Sequence, residues 1–236
     1  VPPSTPGLLQ RTTGALVDLV FPPRCVACGK EGAFLCRSCV ASAPPLPQPS
    51  CRRCARPVSA AGLCEACQAE PSSLEGVLSL YAMGDVIRQA VYALKYHNLR
   101  ALAPTLGALM ASHVQQAGVT ADVLAPVPLH PHRWRERGYN QAELLAKEMG
   151  RQLSLPVASQ GLARVKHSQP QARATSREER RANVEDAFLA KGSFQGQRVF
   201  VVDDVCTTGA TLESCAAALR QAGSAGVWGV TFAKEL

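Results

Sequence analysis

From residue 74 onward, short apolar runs alternate with stretches of helical periodicity, the pattern of a parallel sheet whose strands are joined by crossover helices. Residues 76–81 read as a strand. Residues 85–96 place Val86, Ala90, Val91 and Leu94 on one helical face, and residues 102–116 repeat that pattern. A buried strand follows at 123–127 and runs into Pro128. Residues 140–153 read as a helix, 161–165 as a short strand, 198–202 as the strongest strand, 210–222 as a helix and 226–232 as the last strand. The expectation is an α/β domain with a doubly wound, parallel sheet of about five strands. In such sheets ligands bind beyond the carboxyl ends of the strands, so the loops there should carry function.

Before residue 73 neither periodicity is present, and cysteine spacing takes over. Eight of the ten cysteines fall into four pairs with two residues between partners: Cys25/Cys28, Cys36/Cys39, Cys51/Cys54 and Cys64/Cys67. Two thiolates so spaced in a tight turn reach one tetrahedral zinc at ~2.3 Å, and a second pair closes the site. A disulfide framework is the competing reading; the absence of a visible export signal argues against it. Sequential pairing puts one ion on Cys25, Cys28, Cys36 and Cys39 and a second on Cys51, Cys54, Cys64 and Cys67. Interleaved pairing satisfies the same spacing. Gly29, Gly32, Pro57 and Gly62 supply turns, and the proline-rich run at 43–49 reads as a stiff spacer between the two sites. With little apolar content, this module must draw its folding free energy from the metal. The expected division is an N-terminal arm at 1–22, a zinc-binding module at 23–72 and the α/β domain at 73–236.

Composition adds a bias toward anionic partners. The net charge is +7, and residues 130–181 hold eleven Lys or Arg against five Asp or Glu, so the positive field belongs to one stretch. Residues 1–75 carry seven basic and five acidic groups, a weak footprint for nucleic acid despite Arg52, Arg53 and Arg56 around one cysteine knuckle. The apolar stretch at 14–21 contains Asp18 and meets Pro22 and Pro23. It predicts neither a membrane span nor a secretory signal, which leaves a cytoplasmic location as the default.

The most informative run covers residues 199–212. Four apolar residues (Val199, Phe200, Val201, Val202) precede Asp203 and Asp204, and Val205-Cys206-Thr207-Thr208-Gly209-Ala210-Thr211 then opens a helix. Unsatisfied amides, the positive end of the helix dipole and the hydroxyls of Thr207, Thr208 and Thr211 make that turn an anion site. Gly209 permits close backbone approach and positive φ. A surface turn with a threonine cap explains the turn residues but not two acids behind four buried positions. Asp203 and Asp204 point in different directions if the strand continues through them, so their roles should differ.

Two further regions suit phosphate. Residues 128–141 read as a loop with Arg133, Arg135 and Arg137 alternating, guanidinium groups that match phosphate oxygens or simply decorate a solvated loop. Residues 164–181 carry Lys166, His167, Arg173, Arg177, Arg180 and Arg181 and read either as a lid over the site or as a solvated helix capped by Ser176. Lys95 ends a helix and reaches the same site or compensates the helix dipole. His130, His132 and His167 have no metal-ligand spacing. Trp134 and Tyr139 are the obvious stacking candidates.

The 199–212 run resembles the signature of type I phosphoribosyltransferases that binds 5-phosphoribosyl-1-pyrophosphate (PRPP). Together with Phe21-Pro22-Pro23 before Cys25, the cysteine pairs, Leu94-Lys95-Tyr96, Pro126-Val127-Pro128-Leu129, Arg137-Gly138-Tyr139-Asn140-Gln141 and Arg180-Arg181-Asn183, it resembles the ComF family, called ComFC in competence systems. The resemblance spans almost the whole chain. It implies a double zinc ribbon joined to a type I phosphoribosyltransferase domain that binds PRPP with magnesium. It also implies that Asp203 and Asp204 hold the ribose hydroxyls as catalytic residues, and that Val205, Cys206, Thr207, Thr208, Gly209, Ala210 and Thr211 cradle the 5-phosphate. Lys95, Arg133 and Arg137 join them as PRPP-side cations. The implied role is pentosyl transfer to an acceptor the sequence does not name, in DNA uptake with single-stranded DNA and a translocation helicase as partners. The alternative is a non-catalytic PRPP-sensing or DNA-binding module.

Overall fold

The computed structural model describes residues 22–69, 71–165 and 187–236. The expected arm at 1–22, save its last residue, and nearly all of the expected lid, with the Arg180-Arg181-Asn183 motif, lie outside the described residues. In chain order the elements are α1 (Arg37–Ser42), α2 (Glu65–Gln68), β1 (Gly76–Ala82), α3 (Asp85–Tyr96), α4 (Ala103–Ala117), β2 (Val123–Pro126), α5 (Pro131–Arg137), α6 (Gln141–Leu153), β3 (Leu162–Arg164), β4 (Phe188–Ala190), β5 (Arg198–Cys206), α7 (Ala210–Gln221) and β6 (Gly226–Lys234).

The main sheet is parallel, in the order β1-β6-β5-β2. Its core follows the two-residue alternation of strands. Along β5, Phe200 and Val202 join one apolar cluster with Ile87 and Leu94 of α3, Leu106 and Met110 of α4, and Leu145 and Met149 of α6. Val199 and Val201 face the other way, onto Leu212, Cys215 and Leu219 of α7. Every strand therefore delivers its carboxyl end to the same edge, and β5, second from that sheet's β2 edge, brings the two acids there.

Several expectations change. The described sheet has four strands: the segment expected as a fifth forms β3, which pairs antiparallel with β4 away from the main sheet. Strand β5 extends beyond the apolar run because β6 continues the ladder, pairing Asp203 with Thr231, Val205 with Ala233 and Cys206 with Lys234. Backbone pairing tolerates the acids once a neighbour offers partners. The expected loop at 128–141 contains helix α5, with Pro131 in its first turn, His130 Nδ1 accepting from the His132 amide at 3.2 Å, and Gly138 ending it at φ 71°. Proline at the start and glycine just past the end are its sequence signals. Asn140 then caps α6 by accepting from the Ala142 amide at 3.0 Å and, through Nδ2, donates to the Val127 carbonyl at 2.9 Å.

The proline-rich run is no free spacer. The Ala82 amide donates to the Pro44 carbonyl at 3.1 Å, Pro45 bridges Tyr81 antiparallel, and Ala43 and Leu46 are buried. Farther along the same edge, Val77 N–H donates to the Arg52 carbonyl at 3.1 Å. The cysteine module thus covers the exposed side of β1, where unpaired amides would otherwise invite pairing with another chain. Gly76 is what lets it lie so close: a Cβ there would sit 2.3 Å from the Trp228 ring and 2.7 Å from the Arg52 carbonyl oxygen. Gly76→Ala should cost about 1–3 kcal/mol of stability by overpacking. It should also speed amide exchange at Val77; an unchanged urea midpoint would refute this account of the edge.

Candidate functional site

At the end of β5 the chain turns through Thr207 and Thr208 to Gly209, whose φ of 86° opens α7. Thr208 Oγ1 accepts from the Ala210 amide at 3.3 Å, a contact within the turn just ahead of the Gly209 cap. Lys234, at the end of β6 and 4% exposed, holds the turn from behind. Its ammonium donates to the carbonyls of Cys206 (3.5 Å), Thr207 and Glu235 (2.9 Å), while the Glu235 amide also donates to Cys206 O at 2.9 Å. The carbonyls of the turn are thereby tied back toward β6. Lys234 was missed from sequence, although a lysine closing an otherwise apolar strand is a visible anomaly. Cys206 contributes backbone only: its thiol is buried in the core, and that burial pushes it up to about 11.

The two acids separate as strand geometry requires. Asp204 is 3% exposed, and its Oδ2 lies 2.9 Å from Lys95 Nζ, which reaches in from the last turn of α3. Asp203 is half-buried, and its Oδ1 accepts the Asp204 amide at 2.8 Å. Burial first, then the negative Asp204 beside it, push the Asp203 carboxyl up to about 7 against the opposing pull of Lys95.

Asp203, Asp204, Val205, Thr207 and Thr211 form one wall of a cleft of about 420 Å³. Arg88, Tyr92, Lys95 and Tyr96 of α3 form another, and His130, Arg133, Arg164 and Glu235 complete it. Of the expected residues, Thr208, Gly209 and Ala210 build the turn without lining this cleft. Arg137 is displaced: its guanidinium lies 4.9 Å over the Tyr96 ring and Nη1 donates to Gln141 Oε1 at 2.9 Å, so it supports the rim instead of reaching in. Tyr139 is no stacking platform either. It is buried, its hydroxyl donates to the Leu94 carbonyl, and Arg100 covers its ring at 4.5 Å. Trp134, the other expected platform, is more than half exposed on α5, and α3 adds Tyr92 and Tyr96, both more than half exposed with ring centroids 4.7 Å apart. Arg88, Tyr92 and Tyr96 recur every four residues, a helical stripe readable in sequence but overlooked there.

The cysteines assemble sequentially. The thiols of Cys25, Cys28, Cys36 and Cys39 lie within 4.8 Å of one another, as do those of Cys51, Cys54, Cys64 and Cys67. Sulfurs on a tetrahedral zinc stand about 3.8 Å apart, as ~2.3 Å bonds require; Cys28–Cys36 and Cys54–Cys64 are both 3.7 Å. The donor set fits zinc at both sites. The knuckles repeat one design: the Cys36 amide donates to Cys25 Sγ at 3.4 Å, the Cys64 amide to Cys51 Sγ at 3.3 Å, and each turn closes with a 2.8 Å bond to the first cysteine's carbonyl, from Gly29 or from Ala55. Gly29 has φ 74° and Ala55 φ 57°. Within the first set, hydrogen bonds from Ser38 Oγ and then the Cys39 backbone draw the Cys36 thiol down to about 6, while hydrogen bonding to Cys36 and Cys28 pushes Cys39 up.

An acid pair, a threonine turn and opposing cations thus meet at the carboxyl edge of a parallel sheet. The family model for the phosphoribosyl transferase domain matches residues 95–234, and that for the double zinc ribbon domain matches 16–68. The chain belongs to the phosphoribosyltransferase domain family and joins that domain to a double zinc ribbon. It is 38% identical over 146 residues to competence protein F of Haemophilus influenzae, covering 58% of this chain and 63% of that protein, a little under two thirds of its length. It is 28% identical over 183 residues to the DNA utilization protein YhgH of Escherichia coli, covering 75% of this chain and 80% of that one. It is 27% identical over 204 residues to competence protein ComFC of Bacillus subtilis, with 83% and 82% covered. Among solved structures, glutamine PRPP amidotransferase from B. subtilis superposes with a TM-score of 0.38 at 23% identity, over 55% of this chain and 26% of that one. No helix among the described residues is long and apolar enough to cross a membrane.

Two outcomes follow from the acids. Lys95→Met strands a buried carboxylate and should cost about 3 kcal/mol, the lower end for a broken buried pair because a fifth of the lysine side chain stays in water. Adding Asp204→Asn should recover part of that loss; additive losses in urea melts would show the pair to be uncoupled. Asp203, with its folded-state pKa raised to about 7, favours the folded ligand-free protein most at low pH, and that contribution disappears as pH rises through 7. Wild type should therefore lose stability relative to Asp203→Asn between about pH 4 and pH 7, the window from ordinary carboxylate titration to the raised folded-state value; parallel pH profiles would contradict the shift.

Proposed function

We propose that the cleft binds PRPP with magnesium and that the chain is a phosphoribosyltransferase of the ComF type serving DNA uptake or utilisation in the cytoplasm. The observation that carries this reading is the meeting of Asp203 and Asp204 with the threonine turn and with Lys95 and Arg133 around one cleft. The amides of the turn, the start of α7 and the hydroxyls of Thr207 and Thr211 suit the 5-phosphate. Asp203, the more accessible acid, accepts ribose hydroxyls once ionised, and Asp204 holds Lys95 in place beside it. Two adjacent carboxylate groups and substrate phosphates are the oxygen donors magnesium takes, and its charge would offset that of the pyrophosphate. In transfer, an acceptor nucleophile bonds to the anomeric carbon while the bond to the pyrophosphate oxygen breaks and the electron pair leaves with it. Lys95 and Arg133 stabilise that departing charge.

A second reading has its own support. The exposed Tyr92–Tyr96 pair, flanked by Arg88 and Arg137 at the cleft mouth, offers stacking surface and positive charge of the kind single-stranded DNA uses. The names of the relatives, competence protein and DNA utilization protein, agree with DNA as a partner; single-stranded DNA and a translocation helicase are what this reading adds.

Calorimetry should show magnesium-dependent PRPP binding, weakened at least about tenfold, or ~1.4 kcal/mol, in Asp203→Asn. Pyrophosphate release with a pool of nucleobases and small amines, lost in the same variant, supports transfer. No PRPP heat in the zinc-loaded protein sinks the primary reading. Salt-sensitive binding of single-stranded DNA that survives Asp203→Asn but fails in Tyr92→Ala/Tyr96→Ala, with no pyrophosphate released, selects the second.

A further inference from the structure

The zinc module touches both walls of the cleft through separate contacts. Its first knuckle lies behind α3: Cys25, Leu35, Cys36 and Cys39 belong to the same apolar cluster as Ile87, Val91 and Leu94. At the start of α3, Pro44 packs so tightly on Gly84 that an added Cβ would stand 2.9 Å from its ring. Helix α3 carries Lys95 and Tyr92 into the cleft. The second knuckle lies behind the phosphate turn: Ala55, 1% exposed, shares an apolar cluster with Val77, Cys206 and Leu212, and Arg52 holds the Val77 amide. Between the knuckles, Pro44 holds the Ala82 amide, Ala82 pairs with Lys234, and Lys234 ties the Cys206 and Thr207 carbonyls. Each step is a hydrogen bond, a strand pairing or a buried contact.

We propose that the zinc ribbon is a buttress of the ligand site, the second knuckle holding the phosphate turn and the first holding the α3 wall, so that zinc occupancy and cleft occupancy are thermodynamically linked. The knuckles owe their fold to the metal, so losing zinc loosens the turn and the lysine that neutralises Asp204. Linkage is reciprocal: a cleft ligand that needs the ordered turn retains zinc by the same factor. The proposal rests on the PRPP reading for its choice of ligand but not for the mechanical coupling.

The test uses the full zinc-loaded chain. Zinc release to a zinc-selective chelating dye is followed with and without saturating magnesium PRPP, and amide exchange is compared in loaded and stripped protein. Release should slow at least about fivefold with PRPP. Stripping should speed exchange at 207–210 and at the end of α3 by roughly tenfold or more while β2 and α6 stay protected. If calorimetry shows PRPP bound yet release is unchanged, the linkage is wrong. If PRPP does not bind, the ligand reading falls and the exchange comparison alone decides the buttress. Equal exchange at 207–210 in both forms, or a uniform loss of protection that includes β2 and α6, overturns it.

Discussion

A charge held inside a sheet is the constraint that organises this molecule. Taking a carboxylate out of water costs several kcal/mol unless a partner of opposite charge meets it with good geometry. Asp204 is met by Lys95, and that single requirement fixes where α3 must end. The surroundings hold it there: the Tyr139 hydroxyl takes the Leu94 carbonyl in the last turn of the helix, Arg100 lies over the tyrosine ring, and Gln141 and Tyr96 occupy Arg137. Residues that look like ligand groups in sequence are spent on placing one lysine.

A second constraint is the open flank of β1. Parallel sheets are ordinarily covered, and here the cover is a stretch with little apolar surface of its own, ordered by thiolate chemistry. A module that reads as an appendage is therefore joined to the domain by backbone hydrogen bonds at both ends of a strand, from Pro44 to Ala82 and from Arg52 to Val77. The two halves share their buried surface.

Much of this was legible in the residues. Short apolar runs bounded by turn residues located the four main strands within a few positions, because burial on both faces leaves little else for such runs to do. The cysteine spacing gave both metal sites, since two-residue gaps are dictated by tetrahedral geometry. The threonine turn was visible because its chemistry is local. What escaped depended on distance in sequence. The Lys234 ties to the 206–207 carbonyls and the Arg137–Tyr96 stacking join residues that only the fold brings together. Tyr139 was misjudged for the same reason: nothing around it in sequence shows that Leu94 and Arg100 enclose it. Helix α5 was lost to the weight given its arginines, although Pro131 and Gly138 marked its ends.

The two knuckles are near copies, and the difference between them is informative. Where the first has Gly29 in a left-handed conformation, the second has Ala55, whose methyl group makes the same backbone shape costlier by about 1 kcal/mol. The methyl group that carries this cost is buried in the cluster that holds Cys206 and Leu212, so what the first knuckle keeps as a free turn the second uses to join the body of the domain.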